Sequence, residues 1–193
     1  MARELKFDQV TTRAGDTGES SLFDGERRSK ADDVFEALGD LDELSSWIGV
    51  LRARRREHWS GPLRDLDHEL YEVQTVLSRI AALVACSPGT PQYARLTQID
   101  DDTVAEIELR EARLLKVTRI EPVFIVPGAT EAAAEIDYAR TICRRSERRL
   151  VAAIRSSAYP RPDLHTAQHY LNRLSDYLFV AGRSAEQLGE ESG

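Results

Sequence analysis

Apolar residues recur three and four positions apart in five segments of the chain, the spacing that places side chains on one face of an α-helix. The first segment shows it at Val34, Leu38, Leu41, Leu44, Ile48 and Leu51. The pattern predicts helices over residues 33–56, 62–85, 101–117, 130–159 and 163–188. No alternating run long enough for a strand competes with them. Because each helix has an apolar face to bury, we expect an all-α bundle of five helices.

The residues before the first helix, 1–32, are not predicted to be helical, because glycines interrupt a polar segment at Gly15, Gly18 and Gly25. Glycines let the backbone approach a ligand closely and turn its amide groups toward it. Hydroxyl and basic side chains accompany them at Thr12, Arg13, Ser20, Ser21, Arg27, Arg28 and Lys30. The segment therefore has the ingredients of a phosphate-binding arm. It is not a Walker A loop, since no Gly-Lys-Ser/Thr follows the glycines, and an ordinary glycine-rich loop is the alternative.

The fourth predicted helix carries a cluster of arginines. Arg140, Arg144 and Arg148 are four residues apart, so they share one face of the helix. Arg145 and Arg149 lie beside them. Like charges at this spacing destabilise a helix by roughly 0.2–0.5 kcal/mol per pair. The cluster therefore needs acidic partners or an anionic ligand, and a solvated face balanced by surface carboxylates is the alternative.

Two other positions stand out because of their setting. Gly39 lies inside the first predicted helix, close to Asp40 and Asp42. A glycine there costs about 1 kcal/mol relative to alanine, which indicates close packing or a ligand nearby. Phe124 lies in a short apolar connector, residues 121–128, that prolines bracket. Taken alone, a phenylalanine in such a connector is more typical of a core residue than of a binding site.

The composition narrows the class of partner. With 33 acidic and 26 basic residues, the net charge of −7 argues against a nucleic-acid-binding protein and suits a small anionic ligand better. No apolar run approaches the length of a membrane span, and the N-terminus has no signal-peptide pattern. Cys86 and Cys143 have no metal-type neighbours and are expected to be reduced thiols, so we expect a cytoplasmic protein.

Other kinds of catalytic site fit the sequence poorly. His165 and His169 are one helical turn apart, as in a zinc site, but Thr166 stands where a zincin has its glutamate, so surface histidines are favoured. The Glu-x-x-His pairs of a di-iron bundle are absent, as is the Gly-x-Ser-x-Gly elbow of a serine hydrolase. No residue is therefore predicted as a metal ligand, and the anion-binding hypothesis is left.

Four blocks of residues are specific when they are taken together and in order. They are Thr12-Arg13-Ala14-Gly15-Asp16-Thr17-Gly18 with Ser20-Ser21-Leu22-Phe23 and Lys30; Phe35-Glu36-Ala37-Leu38-Gly39 with Leu41-Asp42-Glu43-Leu44; Phe124-Ile125-Val126-Pro127-Gly128 with Ala139-Arg140-Thr141-Ile142-Cys143-Arg144-Arg145-Ser146-Glu147-Arg148; and Tyr170-Leu171-Asn172-Arg173-Leu174-Ser175-Asp176. Over residues 10–185, this set resembles the ATP:cob(I)alamin (corrinoid) adenosyltransferases of the propanediol-utilisation type.

The resemblance implies a ferritin-like five-helix bundle of the cobalamin adenosyltransferase type, which assembles as a homotrimer. It implies one domain over residues 1–193, with a nucleotide-binding arm (1–32), the helical bundle (33–188) and a tail (189–193). The implied activity is transfer of the 5′-deoxyadenosyl group of ATP to the Co(I) of a reduced corrinoid, giving adenosylcobalamin and triphosphate, with Mg²⁺ on the phosphates. A cobalamin reductase and an adenosylcobalamin-dependent enzyme follow as candidate partners, and neither nucleic acid nor a membrane is expected.

The resemblance also implies residue roles, with both substrates bound between adjacent subunits. The implied nucleotide-binding residues are Thr12, Arg13, Ala14, Gly15, Ser20, Ser21, Lys30, Arg144, Arg145, Ser146, Glu147, Arg148 and Asn172. The implied catalytic residues are Phe124, Arg140, Arg144 and Asp42. Phe124 is expected at the lower face of the corrin, and Arg140 is expected to pair with Asp42 across the subunit interface. A non-catalytic ATP-binding or cobalamin-escort bundle, or a purely structural bundle, is the alternative.

Overall fold

The computed structural model describes residues 6–55 and 57–191. Its long helices are α2 (Asp33–Arg55), α3 (Leu66–Val84), α4 (Asp101–Leu115), α5 (Glu131–Ile154) and α6 (His165–Glu191), and a four-residue helix, α1 (Phe7–Val10), precedes them. The predicted all-α bundle of five helices is confirmed. Residues 1–5, the predicted helix end at Arg56, and residues 192–193 of the predicted tail lie outside the described residues.

The core is formed by the apolar faces of the long helices. α5 packs against α2 and α6, while α3 packs on α2 and α4 packs on α6. The positions that repeat at three and four are the buried ones, as in α2 at Leu41, Leu44, Ile48 and Leu51. Burying a leucine or isoleucine side chain completely contributes about 1.5–3 kcal/mol, so this repeat drives α2 onto its neighbours. Within the described ranges, no helix is both long enough and apolar enough to cross a membrane.

The helix ends follow local chemistry more closely than the apolar pattern. Thr130 caps α5, because its side chain accepts a hydrogen bond from the Ala133 N–H at 3.1 Å. α5 ends at Ile154 rather than near Tyr159, where the prediction placed its end. The Arg161 N–H, between the two prolines, donates to the Ile154 carbonyl oxygen at 3.1 Å, so the chain after Ile154 turns back toward the end of the helix. α6, in contrast, is longer than predicted, since it continues to Glu191, beyond the predicted start of the tail at residue 189.

The arm is more regular than the sequence predicts. α1 (Phe7–Val10) is helical, and strands β1 (Glu19–Ser21) and β2 (Arg27–Ser29) form an antiparallel hairpin. The prediction of an arm without helix is wrong for α1, and the hairpin was missed. Strands of three residues are too short to show an alternating pattern. Their stability comes from pairing and from contacts with the bundle.

Candidate active site

The hairpin of the arm fixes the positions of two predicted nucleotide-binding serines. Its register places Glu19 opposite Ser29, Ser20 opposite Arg28, and Ser21 opposite Arg27. Gly25 makes the turn at a φ of 90°, a conformation that strains residues with a side chain. The Leu22 N–H donates to the Glu26 carbonyl oxygen at 2.8 Å and closes the turn. Ser20 and Ser21 therefore lie on a strand of defined register rather than in an irregular loop.

The glycine loop of the arm lies directly against Lys30. A Cβ atom on Gly15 would stand 2.8 Å from Lys30 Nζ, so a larger residue there would displace the ammonium group. The Lys30 N–H also donates to the Gly18 carbonyl oxygen at 2.8 Å. In the same loop, Arg13 has a φ of 56°, which costs a non-glycine residue about 1–2 kcal/mol. The structure thus brings together Gly15 and Lys30, two residues that the resemblance assigns to phosphate binding.

The other predicted residues of the loop are exposed and only lightly engaged. The Thr12 Oγ1 accepts a hydrogen bond from the Ala14 N–H at 3.4 Å. The Ala14 carbonyl oxygen accepts from Arg27 Nη2 at 3.3 Å, and that guanidinium also pairs with Glu19. Thr12, Arg13 and Ala14 are all exposed to solvent. The Thr12 hydroxyl and the Arg13 guanidinium are therefore accessible to an anionic ligand.

Contacts with the end of α3 anchor the hairpin to the bundle. The Ser87 N–H donates to Asp24 at 2.7 Å, and the Ser87 hydroxyl donates to Glu26 at 3.0 Å. Arg28 pairs with Glu26 and stacks on the ring of Tyr159, with its Cζ 3.6 Å from the centroid. Hydrogen bonding from Arg28 holds the pKa of the Glu26 carboxyl below its ordinary value. The arm is therefore tied to the fold at its turn while its glycine loop stays exposed.

Some arginines of α5 are neutralised by α2. Arg145 pairs with both Asp40 and Glu43, and Arg149 pairs with Glu36 at 3.2 Å. The hydrogen bond to Glu43 raises the pKa of the Arg145 guanidinium. For these two residues the prediction of acidic partners on the surface is therefore confirmed. Arg145 is still half-buried and accessible from solvent, so its role in nucleotide binding stays a prediction.

Arg144 and Arg148 differ from their neighbours. Both are exposed, and neither forms an ion pair with an acidic residue in the described part of the chain. The Arg148 Nη1 donates only to the Arg144 carbonyl oxygen, at 3.0 Å, one turn earlier on the same helix. Two guanidiniums one turn apart repel each other, so an anion that bound them both would remove an unfavourable interaction.

Ser146 does not behave as a nucleotide contact. It is fully buried, and its hydroxyl lies 2.9 Å from the Asp40 carbonyl oxygen and 3.1 Å from the Ile142 carbonyl oxygen. These contacts pack α5 against α2 and leave the side chain out of reach of a ligand. The prediction that Ser146 binds the nucleotide is therefore corrected. Its place in the arginine motif reflects helix packing.

Glu147, which lies between Arg144 and Arg148 in the sequence, links α5 to Asn172 on α6. Asn172 Nδ2 donates to Glu147 Oε1 at 3.3 Å, and Asn172 Oδ1 accepts from Arg173 Nη1 at 2.7 Å. Both Glu147 and Asn172 are only half-buried, so each can also reach a ligand. The structure therefore brings together one acidic and one amide residue that were predicted to lie in a single nucleotide site.

Phe124 is completely exposed, at 102% of its reference area. Its neighbours Val123 and Val126 are also exposed, at 62% and 82%. The interpretation of Phe124 as a core residue is therefore wrong in this protomer. The connector lies above an open cavity of about 560 Å³ that Val123 and Ile125 line together with Arg183 of α6. A cluster of exposed apolar side chains is typical of a surface that binds a ligand or another subunit.

Arg140 and Asp42 do not meet within the protomer. Arg140 Nε donates to Asp137 on its own helix at 3.4 Å, while Asp42 is exposed on α2. Their pairing across an interface stays a prediction. Gly39, one turn before Asp42, is exposed as well, and a Cβ there would meet no atom within 4 Å. Close packing inside the protomer is therefore the wrong explanation for Gly39, and contact with something outside the protomer remains.

The thiols and histidines take no part in this arrangement. Burial raises the pKa of the Cys143 thiol, and its Sγ donates to the Leu171 carbonyl oxygen at 3.2 Å, so it is a poor nucleophile. Cys86 is also buried, and its thiol is free. His165 and His169 are exposed, as predicted for surface histidines. Across residues 6–55 and 57–191, no group of three or more His, Cys, Asp or Glu residues is arranged to hold a metal ion.

Most of the chain, from the arm to α6, matches the sequence model of one family. Its sequence model, described as cobalamin adenosyltransferase, covers residues 10–185. The chain belongs to the cobalamin adenosyltransferase family. The matched range includes the glycine loop, the arginines of α5 and Asn172, so the family assignment rests on the whole candidate site.

Named members of the adenosyltransferase family are similar to this chain over most of their length. Mouse (Mus musculus) corrinoid adenosyltransferase MMAB is 35% identical over 93% of this chain and 73% of its own. The cobalamin adenosyltransferase of Cupriavidus metallidurans is 35% identical over 95% of this chain and 91% of its own.

Solved adenosyltransferase structures share the fold. A phenylalanine-to-alanine variant of the PduO-type ATP:corrinoid adenosyltransferase from Lactobacillus reuteri, complexed with cobalamin and ATP, superposes with a TM-score of 0.81. It is 27% identical, and the match covers 94% of this chain and 95% of that one. An arginine-to-lysine variant of the same enzyme, complexed with ATP, gives a TM-score of 0.77 at 28% identity, over 94% of this chain and 96% of that one.

Several residues that shape this adenosyltransferase site were not predicted from its sequence. Asp24, Ser87 and Tyr159 hold the arm, and Asp137 holds Arg140. Asp24, Ser87 and Tyr159 are far in sequence from the residues they contact. Asp137 is the exception, because it is three residues before Arg140. That spacing, an acidic residue one turn before an arginine, is the signal that could have revealed it.

Proposed function

We propose that this chain transfers the 5′-deoxyadenosyl group of ATP to the Co(I) of a reduced corrinoid, giving adenosylcobalamin and triphosphate. The observation that carries the proposal is the contrast among the arginines of α5. Arg145 and Arg149 are neutralised by α2, whereas Arg144 and Arg148 have no acidic partner among the described residues. Unpaired guanidiniums on an exposed helix face suit a polyphosphate, which they can bind through paired N–H donors.

The protein's part in this reaction is to position the substrates and stabilise the leaving group. Co(I) supplies the electron pair that forms the new bond to C5′ of ATP, and the C5′–O bond breaks with its electrons on triphosphate. No protein nucleophile or general base is needed, which fits the buried thiol of Cys143. Negative charge grows on the triphosphate as it leaves. Lys30 and Arg144 are the cations proposed to stabilise this charge, and holding both reactants together would lower the entropic cost.

Phe124 is proposed to cover the lower face of the corrin. Reduction of Co(II) to Co(I) is difficult when an axial ligand donates electrons to the metal. An apolar ring at that face would exclude water and replace the lower ligand, so the reduction becomes easier. The complete exposure of Phe124 in the protomer leaves its whole ring for such a contact.

Magnesium is proposed to accompany the nucleotide. Mg²⁺ commonly keeps several waters and binds through substrate phosphates with one or two protein carboxylates. Glu147 is the acidic residue between Arg144 and Arg148 in the sequence. It is half-buried, and among the described residues only the Asn172 amide donates a hydrogen bond to its carboxylate. It is therefore a suitable protein ligand, and the ion would supply further neutralising charge at the phosphates.

The assembly is proposed to be a homotrimer with the sites between neighbouring subunits. Among the described residues, no hydrogen bond or ion pair joins the loop around Gly15 to Arg144 or Arg148. The two halves of the nucleotide site are therefore expected to come from different protomers. The exposed Asp42 and Gly39 on α2 would face the neighbour. We place the reaction in the cytoplasm, where buried free thiols stay reduced.

A spectroscopic assay tests the proposed activity. The absorbance of chemically reduced corrinoid should change to that of adenosylcobalamin only when both the protein and ATP are present. Triphosphate, rather than diphosphate and phosphate, should be the released product. Binding of ATP and corrinoid without any alkylation would contradict the proposal and favour an escort protein. A melting temperature that ATP at millimolar concentration does not shift would favour a structural bundle.

The pairing of Arg140 with Asp42 is tested by a double-mutant cycle. Arg140→Ala and Asp42→Ala should each lower kcat by about tenfold, and the double variant should lose no more than the worse single variant, because both changes remove one interaction. The matched control is the pair Arg149→Ala and Glu36→Ala, which meets inside the protomer and should leave kcat unchanged. Multiplicative losses from Arg140→Ala and Asp42→Ala would rule out the bridge.

A further inference from the structure

Asp137 is a buried carboxylate on α5 that none of the proposed steps uses. It is 4% exposed, and its partner Arg183 on α6 is 3% exposed. A buried ion pair is often no more stabilising than apolar packing of the same volume, because both charges have to be removed from water. Stability alone therefore gives no reason for placing these two charges between packed helices. Their contacts indicate a different role.

Asp137 divides its two carboxylate oxygens between two arginines. Arg183 Nη2 donates to Oδ2, and Arg140 Nε donates to Oδ1 at 3.4 Å. Arg183 also forms an ion pair with Glu186, whose Oε2 lies 3.0 Å from its Nη1. The Cζ atoms of Arg140 and Arg183 also lie 6.0 and 5.7 Å from the ring centroid of Phe179, within the range of a cation–π interaction. A continuous series of contacts from α6 therefore ends on Arg140.

The contact with Asp137 leaves part of Arg140 available. It engages only Nε, and neither Nη group donates to a residue that the structure describes. A guanidinium is planar, so fixing Nε also restricts the direction of both Nη groups. The side chain of Arg140 remains partly exposed. It is therefore held from inside the protomer and open to an anionic group outside it.

We propose that Asp137 and Arg183 are positioning residues for the transfer reaction. They fix the Arg140 guanidinium so that its Nη groups meet the anionic group beyond the protomer in one orientation. The inference rests on the proposed function, in which Arg140 acts at the junction between subunits. Their effect on the rate is proposed to pass through Arg140 rather than through a contact of their own with a substrate.

Single-turnover rates of adenosyl transfer test this in the wild type, Asp137→Asn, Arg140→Ala and the double variant. Asp137→Asn keeps the shape and an acceptor oxygen but removes the charge. We expect the rate to fall by about tenfold, with the KM for ATP changed by less than about twofold, because orientation is lost and nucleotide contacts are not. In the Arg140→Ala background, Asp137→Asn should change the rate by less than about twofold. Equal fractional losses in the two backgrounds would overturn the proposal.

A second variant covers the case in which Asp137→Asn fails to fold because it leaves Arg183 charged in the interior. Asp137→Asn combined with Arg183→Gln removes both charges and should fold. Its transfer rate should still be about tenfold below that of the wild type, because the tether on Arg140 is weakened. A wild-type rate in this neutral variant would overturn the proposal.

Glu69 offers a matched control, since it is a second buried carboxylate bonded to α6. It is 7% exposed and accepts from the Tyr177 hydroxyl at 2.7 Å. Glu69→Gln should lower the melting temperature and leave the transfer rate within about twofold of wild type. A loss as large as that of Asp137→Asn would show that any weakened contact with α6 slows the reaction, and would overturn the inference. A wild-type chain that makes no adenosylcobalamin would instead overturn the proposed function itself.

Discussion

Phe124→Ala is expected to reduce turnover by about 100-fold when the corrinoid is supplied as Co(II) with a reductant, while the Kd for ATP stays unchanged. The ring is fully exposed, so its loss removes no core packing and should leave the melting temperature as it is. The physical reason for the slow reaction is that water or a lower ligand can then reach the cobalt and hinder its reduction. Stopped-flow absorbance of the corrinoid measures the rate, and calorimetry measures ATP binding.

The same experiment can separate reduction from alkyl transfer. When Co(I) is generated chemically before mixing, the loss caused by Phe124→Ala should shrink to about tenfold or less, because the difficult reduction has been bypassed. Val126→Ala is the matched control, since Val126 is an exposed apolar residue of the same connector. An equally large loss with preformed Co(I), or an equal loss in Val126→Ala, would show that Phe124 does not act on the reduction.

Arg144→Ala is expected to lower kcat/KM for ATP by about 100-fold, with both weaker nucleotide binding and slower transfer. Arg144 is exposed and has no acidic partner among the described residues, so the fold loses no ion pair when it is removed. Its guanidinium should contact the phosphates in the ground state and contribute more as charge grows on triphosphate. Arg144→Lys should recover part of the binding but less of the rate, because an ammonium group lacks paired donors.

Arg149→Ala provides the control for Arg144→Ala on the same helix. Arg149 is neutralised by Glu36, so its removal should change stability by about 1 kcal/mol or less and leave kcat/KM unaltered. Steady-state kinetics with variable ATP and denaturation in urea check the two expectations. If Arg149→Ala slowed transfer as much as Arg144→Ala, then the total charge of the helix, and no individual contact, would control the reaction.

The core was predictable from the sequence because its signal is local and repeated. Leu44 and Ile48 lie on the apolar stripe of α2, and both are buried without any exposed area. The cap of α5 is also local, because the Thr130 side chain accepts a hydrogen bond from the Ala133 N–H in the first turn of the helix. A periodic pattern of this kind depends only on neighbours within one helix. The bundle and the approximate helix positions could therefore be predicted from the sequence, whereas the end of α5 at Ile154 could not.

The state of each arginine could not be predicted, because it depends on a different helix. Arg144 and Arg145 are adjacent in sequence, yet only Arg145 reaches Asp40 on α2. The orientation of α5 about its axis relative to α2 determines which of the two arginines is neutralised. Ser146 was misassigned for the same reason, since its position in a motif does not show that its hydroxyl faces α2. The resemblance assigns the whole segment to the nucleotide site, but it cannot show which of its side chains are buried, paired or free to bind a ligand.

The exposure of Phe124 and the hairpin of the arm were also beyond the sequence. Phe124 lies in an apolar segment between prolines, which is typical of a buried connector. Its side chain is exposed because of the path of the chain in the tertiary structure. The hairpin has strands of three residues, and its turn is secured by Ser87, far away in sequence. Non-local contacts of this kind leave no periodic trace in the chain.

Because Ser87 and Tyr159 already clasp the turn of the arm, much of the arm is ordered before any nucleotide arrives. Immobilising a flexible backbone costs about 1–2 kcal/mol per residue, and here that penalty falls on folding rather than on complex formation. If the arm were flexible, part of the free energy of nucleotide binding would be lost to ordering it. In this protein the binding free energy of the triphosphate is instead available to position the adenosyl group against its acceptor.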